Sequence, residues 1–430
     1  MTPTIYILLY IGLWIISLFV FRRFKSPINS GLGQWLMLLW MTSACVSIWM
    51  LHNHLYYNST LYKFDIISFF PLLYLWLCIL LYASPLLGFK VSEDAQVTFC
   101  SSSNYAFKLL VLKILTCIFL VTAIGEFYAY TLIPDKGGFY AMTAGTMNKK
   151  QVMEDIMGTI LKSRVVLLCH RLFSFFSDSM ICFSFVLFLK NKKKQALIVF
   201  LAATSPIIFG SILTGNRQKL ICLIMTLFIT FQIFKPLLSE EFKSKCKRVF
   251  LVCAIGFAVP VVLISVLRFG DYTDILIYEI LRYFGESCLN FSSWLFPHLQ
   301  GHDNGRKMLS VLFRELPFYN PPVTTLGPYF YTFVGGIIQA VGRMWTFIIG
   351  IIFCVSAIFI KQHPQKLSLG KALLMQTIAV MCFEGLFGFI HHLYIGAFFI
   401  GFFAILFLDT NWVNLFSCLL NKIYDKFFAR

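Results

Sequence analysis

Acidic residues are scarce in this sequence: 19 Asp and Glu stand against 36 Lys and Arg among 430 residues, and only 13% of the chain is charged. A soluble domain carries about twice that share, so a water-exposed globular surface is not what this composition builds. Alternating strands of about ten residues are missing, which removes the closed membrane barrel. The chain has no Gly-rich phosphate loop, no His-Glu-x-x-His helix and no Gly-x-Ser-x-Gly elbow, leaving ATPase, metalloprotease and serine hydrolase chemistry without support. Its 13 cysteines, Cys45, Cys78, Cys117, Cys169, Cys222, Cys253 and Cys354 among them, mostly lie within apolar stretches and lack metal-ligand spacing. They read as small hydrophobes, and neither a metal nor a cofactor is expected. Internal repeats and disordered linkers are also missing, so residues 1–430 read as one membrane domain.

What the sequence does have is apolar length. Hydrophobic residues make up 59% of it and the mean hydropathy is +0.78, so the solvent is lipid. Backbone groups cannot stay unbonded in hydrocarbon, and a helix needs about twenty apolar residues to cross it. Spans are predicted near 4–20, 31–50, 65–88, 109–133, 165–189, 196–213, 220–234, 249–267, 338–360, 372–389 and 393–410. The first has no basic n-region or small-residue cleavage site and is followed by Arg22, Arg23 and Lys25, so it is expected to be a retained span rather than a signal peptide.

The net charge of +17 gathers in short clusters between spans: Arg22/Arg23/Lys25, Lys90 with Lys108, Lys190 with Lys192 to Lys194, Lys235 with Lys243 to Arg248, Lys361/Lys366/Lys371, and Lys422/Lys426/Arg430. Nucleic acid would call for one basic face, so it is not an expected partner. With all spans kept, the clusters fall on one side, which puts the N-terminus outside and the C-terminus in the cytoplasm.

On the outer side one segment, 268–336, is much longer than the rest, and long loops carry function. Within it, Thr273 to Phe284 reads as a helix ended by Gly285, and Gly305 to Leu316 as an amphipathic helix stopped by Pro317 and Pro321-Pro322. Both are expected on the membrane surface. A shorter outer segment, Pro134 to Arg164, carries Val152, Ile156 and Ile160 at helical spacing and fits an interfacial helix.

Arginines collect on this outer side. Arg217 sits in the short turn Thr214-Gly215-Asn216-Arg217, Arg268 at the mouth of the eighth span, Arg282 in the first loop helix, and Arg306 and Arg314 in the second. A guanidinium offers a rigid fork that fits phosphate oxygens and stays charged at cellular pH. Several of them together would hold a lipid pyrophosphate and stabilise it as a leaving group. The competing reading for Arg217 is a snorkelling arginine, and for the loop a solvated basic surface against anionic lipid.

Within the spans, Lys113, Arg171, Asp178, Arg343 and Glu384 are costly in hydrocarbon and need partners. Arg171 and Asp178 are spaced to share a helix face and read as structural. Glu384 precedes His391 and His392 by two helical turns, a stripe suited to proton transfer or, equally, to polar helix contact.

Topology and motif order resemble the Wzy-type oligosaccharide repeat-unit polymerases, the family of O-antigen and enterobacterial common antigen polymerases. The residues carrying the resemblance are Thr214-Gly215-Asn216-Arg217, similar to a Gly-x-Arg turn between two spans; Leu267-Arg268-Phe269-Gly270, similar to the lead-in to the large loop; and Phe318 to Gly336 with its Pro, Thr and Gly pairs, similar to the loop exit. They cover most of the second half, while the first half contributes only spans. The resemblance implies an all-α polytopic protein of the bacterial inner membrane, with about eleven transmembrane helices and one large periplasmic loop.

The implied reaction transfers a glycan from undecaprenyl pyrophosphate to a sugar hydroxyl of another lipid-linked repeat unit, independently of a metal. Membrane lipid and a regulator of chain length are implied as partners. Arg217, Arg268, Arg282 and Arg314 are then assigned to pyrophosphate, and Glu286, His391 and His392 are candidates for the base. Tyr283, Trp294, Tyr319, Tyr329 and Tyr331 suit sugar stacking or, as well, an interfacial belt. O-antigen ligase shares topology and donor, and a lipid-linked oligosaccharide flippase shares the intramembrane charges, although a flippase is expected to show inverted repeats and no dominant loop.

Overall fold

The computed structural model describes residues 3–24, 31–52, 67–98, 105–131, 164–214, 217–246, 248, 281, 284–298, 332–360 and 365–386. Helices dominate them, as a chain free of exposed backbone in lipid requires. In order they are α1 (Pro3–Phe24), α2 (Leu32–His52), α3 (Phe69–Gly88), α4 (Tyr105–Thr131), α5 (Arg164–Leu189), α6 (Lys193–Thr214), α7 (Arg217–Phe234), α8 (284–298), α9 (Phe333–Ile360) and α10 (Leu369–Glu384). Seven helices among the described residues are long and apolar enough to cross a membrane. Outward-facing Ile16, Phe19, Ile124 and Met344 agree with surrounding hydrocarbon. The helices follow the predicted spans to within a few residues; spans 249–267 and 393–410 lie outside the described residues.

One buried cluster joins the helices. Helices α1, α2, α3 and α9 pack together, α4, α5 and α6 form a second group, and α7 and α10 tie the two. No residue of α10 is exposed, which suits a helix apolar nearly all round. Trp14 stacks on Trp40 at 6.3 Å, and the Trp40 indole donates to the Cys382 carbonyl at 3.3 Å, fastening α2 to α10. Every described cysteine is a free thiol.

The basic clusters that fall in the described residues share one end of the bundle. Gly33 lies where a Cβ would meet Leu87 and Phe21, bringing together the Arg22/Arg23 end of α1, the start of α2 and the end of α3. Two short parallel strands, β1 (Gln96–Thr98) and β2 (Lys366–Ser368), join the segment after α3 to the segment before α10. Lys371 lies 6.0 Å from the Phe89 ring. Phe185 stacks on Phe234 and Phe188 on Phe242, so the ends of α5 and α7 meet.

Two elements differ from the sequence expectation. Gly285 does not end a helix: it lies within α8, which has π-helical hydrogen bonding over Phe291–Leu295, and residues 285 to 293 are buried inside the bundle; the expected surface helix Thr273 to Phe284 lies, except for residues 281 and 284, outside the described residues. The reason is close approach. A Cβ at Gly285 would stand 2.5 Å from Met50 Sδ and 3.0 Å from Val46, and the Ser47 hydroxyl donates to the Gly285 carbonyl at 2.7 Å. The second loop helix, Gly305 to Leu316, and the outer segment Pro134 to Ser163 lie outside the described residues.

The second difference is α9, expected as one straight span. A continuous helix would separate residues 333 and 353 by about 30 Å. Yet both Phe333 and Phe353 touch the ring of Tyr82, at 5.6 and 4.9 Å. The chain folds back at Gly342, whose φ of 84° and ψ of 167° lie in a region open almost only to glycine. The arm 333–341 is therefore a short hairpin leg, buried from Phe333 to Ala340 and begun by Thr332, whose hydroxyl accepts from the Gly335 N–H at 3.2 Å. Thr332→Val removes this buried cap and is expected to cost about 1 kcal/mol of stability, read as a lower midpoint of unfolding in detergent.

Candidate functional site

The charges that the sequence placed inside spans find distinct environments. Arg343 follows the Gly342 break, where its guanidinium sits 4.1 Å from the Phe296 ring and donates to the Phe296 carbonyl, while its own carbonyl accepts from Tyr74 at 2.6 Å. That cation locks the hairpin of α9 to α8 and α3. Lys113 faces outward on α4.

Asp178 and Glu384 meet on one hydroxyl. The Thr226 Oγ1 lies 3.5 Å from an Asp178 oxygen and 3.3 Å from a Glu384 oxygen, so α5, α7 and α10 contribute one residue each to a polar centre inside the bundle. It continues along α7, where the Thr230 hydroxyl donates to the Thr226 carbonyl at 2.7 Å and accepts from the Gln376 amide at 2.7 Å. The sequence places Asp178 on one helix face with Arg171 as a structural residue; the structure shows Thr226 as a partner of Asp178. No pattern within a single span announces this cluster, because each residue comes from a different helix.

Helix α10 ends at Glu384, with Gly385 as its C-cap and a Gly385 N–H to Met381 O bond of 3.1 Å. The stripe expected to run from Glu384 to the two histidines is thus not carried by α10, and His391 and His392 themselves lie outside the described residues. Beyond the cap, the Gly385 carbonyl accepts from the Phe333 N–H at 2.9 Å and the Leu386 carbonyl accepts from the Ser287 hydroxyl. These two bonds set the hairpin arm of α9 and the polar face of α8 against the end of α10.

Glu286, a candidate base, is 3% exposed on α8, immediately before Ser287. Ser287, Asn290, Ser292 and Ser293 are buried on the same helix. Ser43 and Ser47 of α2 donate to the Phe284 and Gly285 carbonyls at 2.6 and 2.7 Å, and Ser292 donates to the Ser68 carbonyl. The α8 backbone beside Glu286 is therefore anchored to α2, and the bond from Ser287 to Leu386 ties the next residue to the segment just after Glu384. Sequence reasoning placed Glu286 in a surface loop and missed the serines and Asn290 around it, whose signal is four small polar residues in the seven following Glu286.

Of the pyrophosphate candidates, Arg217 is the first residue of α7, nine residues before Thr226, or about 14 Å along the helix. Arg268, Arg282 and Arg314 lie outside the described residues. Among the described residues no group of three or more His, Cys, Asp or Glu side chains is placed to hold a metal. No family model matches the chain, and neither a curated protein nor a solved structure matches it.

Proposed function

We propose that this chain is a polysaccharide polymerase of the bacterial inner membrane, with about eleven spans, a periplasmic N-terminus, a cytoplasmic C-terminus and the large loop 268–336 on the periplasmic side. In this reading it joins repeat units carried on undecaprenyl pyrophosphate. One observation supports it most: α7 starts at Arg217 and reaches Glu384 through Thr226, and the end of α10 bonds the residue beside Glu286. The helix that begins at Arg217 and the helix that carries Glu286, a carboxylate suited to proton abstraction, are thereby joined through α10.

The chemistry follows from these groups. Glu286 accepts the proton of the acceptor hydroxyl as its oxygen forms a bond to the anomeric carbon of the donor sugar. The bond from that carbon to the pyrophosphate oxygen breaks, and the leaving group departs with the electron pair. Arg217 and Arg268, with Arg282 and Arg314, take up the growing negative charge, a role that guanidinium groups fill without a metal.

Arg217→Ala and Arg268→Ala test this directly. Each is expected to leave the protein in the membrane while long glycan chains fall by about 10²–10³-fold and single lipid-linked repeats accumulate on the periplasmic side. An unchanged chain-length distribution rejects the assignment. The broken helix at Gly342, the half-buried Asp178 and the buried Glu384 favour a second reading, a flippase for the same lipid-linked units, since transporters use discontinuous helices and intramembrane carboxylates. Under that reading, loss of the protein traps repeat units facing the cytoplasm.

A further inference from the structure

Lys113 is an intramembrane cation for which the bundle supplies no carboxylate among the described residues. It lies on the outward face of α4 in line with Leu110, Ile114, Cys117, Val121 and Ile124, all of them exposed. Helix α6 packs beside α4 and presents a matching outward row, Leu197, Ile198 and Leu201, that begins with exposed Lys193 and Lys194. The contact of Phe127 with Phe209 at 5.6 Å joins the two helices toward their other end. Two exposed apolar rows thus lie on helices packed against each other, with an aromatic contact toward one end and three cations toward the other.

Lys113 and Lys194 on this edge have no ion pair among the described residues, while Lys193 shares its charge weakly with Glu241. Lys243 and Lys245, at the same end of the bundle, are neutralised by Glu240 and Glu241 at 2.7 and 2.5 Å. The hydrogen bond and charge of Lys245, and more weakly the charge of Lys193, hold the Glu241 carboxyl below its usual range. Lys193 sits at a helix N-terminus, where a cation opposes the helix dipole and gains most from an added anion. A long side chain such as that of Lys113 reaches along its own helix toward the headgroup level.

From the two apolar rows and their basic edge we infer that α4 and α6 form a binding groove for one anionic diacyl phospholipid, with its acyl chains along the rows and its phosphate against Lys113, Lys193 and Lys194. This site stands apart from the proposed polymerase centre and holds whether that centre polymerises or transports. The occupant is a phospholipid because the cations border surface that faces hydrocarbon, and a water-soluble anion would leave the two rows unfilled.

Native mass spectrometry of the full-length protein, released from vesicles of phosphatidylglycerol and phosphatidylcholine, tests the inference. The wild type is expected to keep one phosphatidylglycerol more than a Lys113→Leu, Lys193→Gln, Lys194→Gln variant, with about a fivefold loss of retention per lysine removed. Arg22→Gln, at the same end but on α1, which packs with α2 and α3, is expected to retain the lipid. Equal retention by the wild type and the triple variant overturns the groove, as does equal retention of phosphatidylcholine or an equal loss in Arg22→Gln. Should the triple variant fold poorly, Lys113→Leu alone decides, because it replaces an outward cation by a residue that hydrocarbon favours.

Discussion

Glu286→Gln is expected to lower long-chain glycan synthesis by about 10²–10⁴-fold, the usual contribution of a positioned general base, while the protein stays folded in the membrane. The substitution keeps the volume of a side chain only 3% exposed and leaves the neighbouring bond from Ser287 to Leu386 in place. What it removes is the ability to accept a proton. Single lipid-linked repeats are expected to accumulate, as they do for Arg217→Ala, but binding of the lipid donor should remain at the wild-type level, which separates loss of the base from loss of the phosphate site. Gel analysis of the glycan ladder reads the first effect, and donor binding by the purified protein reads the second. A normal ladder from Glu286→Gln would remove Glu286 from the mechanism while leaving the arginines to be judged on their own results.

Gly342→Val is expected to destabilise the protein by about 1–3 kcal/mol, and Gly342→Ala by less within that range. At φ 84° and ψ 167° a Cβ collides with the backbone on either side, and a β-branched side chain has the least room to adjust. The strain is hard to relieve because the hairpin is held at several points. Thr346 donates to the Gly342 carbonyl at 2.8 Å, Tyr74 donates to the Arg343 carbonyl, and Phe333 is bonded to Gly385 at the far end of the arm. Thermal unfolding in detergent measures the loss. Wild-type stability in Gly342→Val would mean that this position does not need glycine and that the fold-back of α9 is wrong.

The hairpin also bears on the two functional readings. Its buried arm, the end of α10 and the polar face of α8 converge around Glu384 and Glu286. Under the polymerase reading this convergence is a rigid seat for a base. Under the transport reading it is the part that moves, and a hinge substitution at Gly342 should then change transport rate more than stability.

The sequence by itself determined that the chain is helical, apolar and suited to lipid, and it located α1 to α7 to within a few residues. The physical reason is that hydrocarbon leaves the backbone no choice: each crossing must satisfy its hydrogen bonds internally over a length set by the bilayer, so hydropathy alone marks the spans. The likeness of Thr214 to Arg217 and of Leu267 to Gly270 to polymerase motifs is a local reading of the same sequence and belongs to the proposed function.

Only the tertiary structure decided what the glycines and buried polar residues are for. Gly285 looked like a helix stop, but the proximity of Met50 and Val46 on α2 explains it as a point of close packing within α8. Gly342 carried no sign of a reversal, since whether a glycine continues a helix or breaks it depends on what waits on either side, here Tyr82 and Gly385. Thr226 was indistinguishable from any span threonine until Asp178 and Glu384 arrived from two other helices. Burial in lipid is a property of each segment, whereas a polar centre is a property of distances between segments, and those are set by packing far apart in the chain.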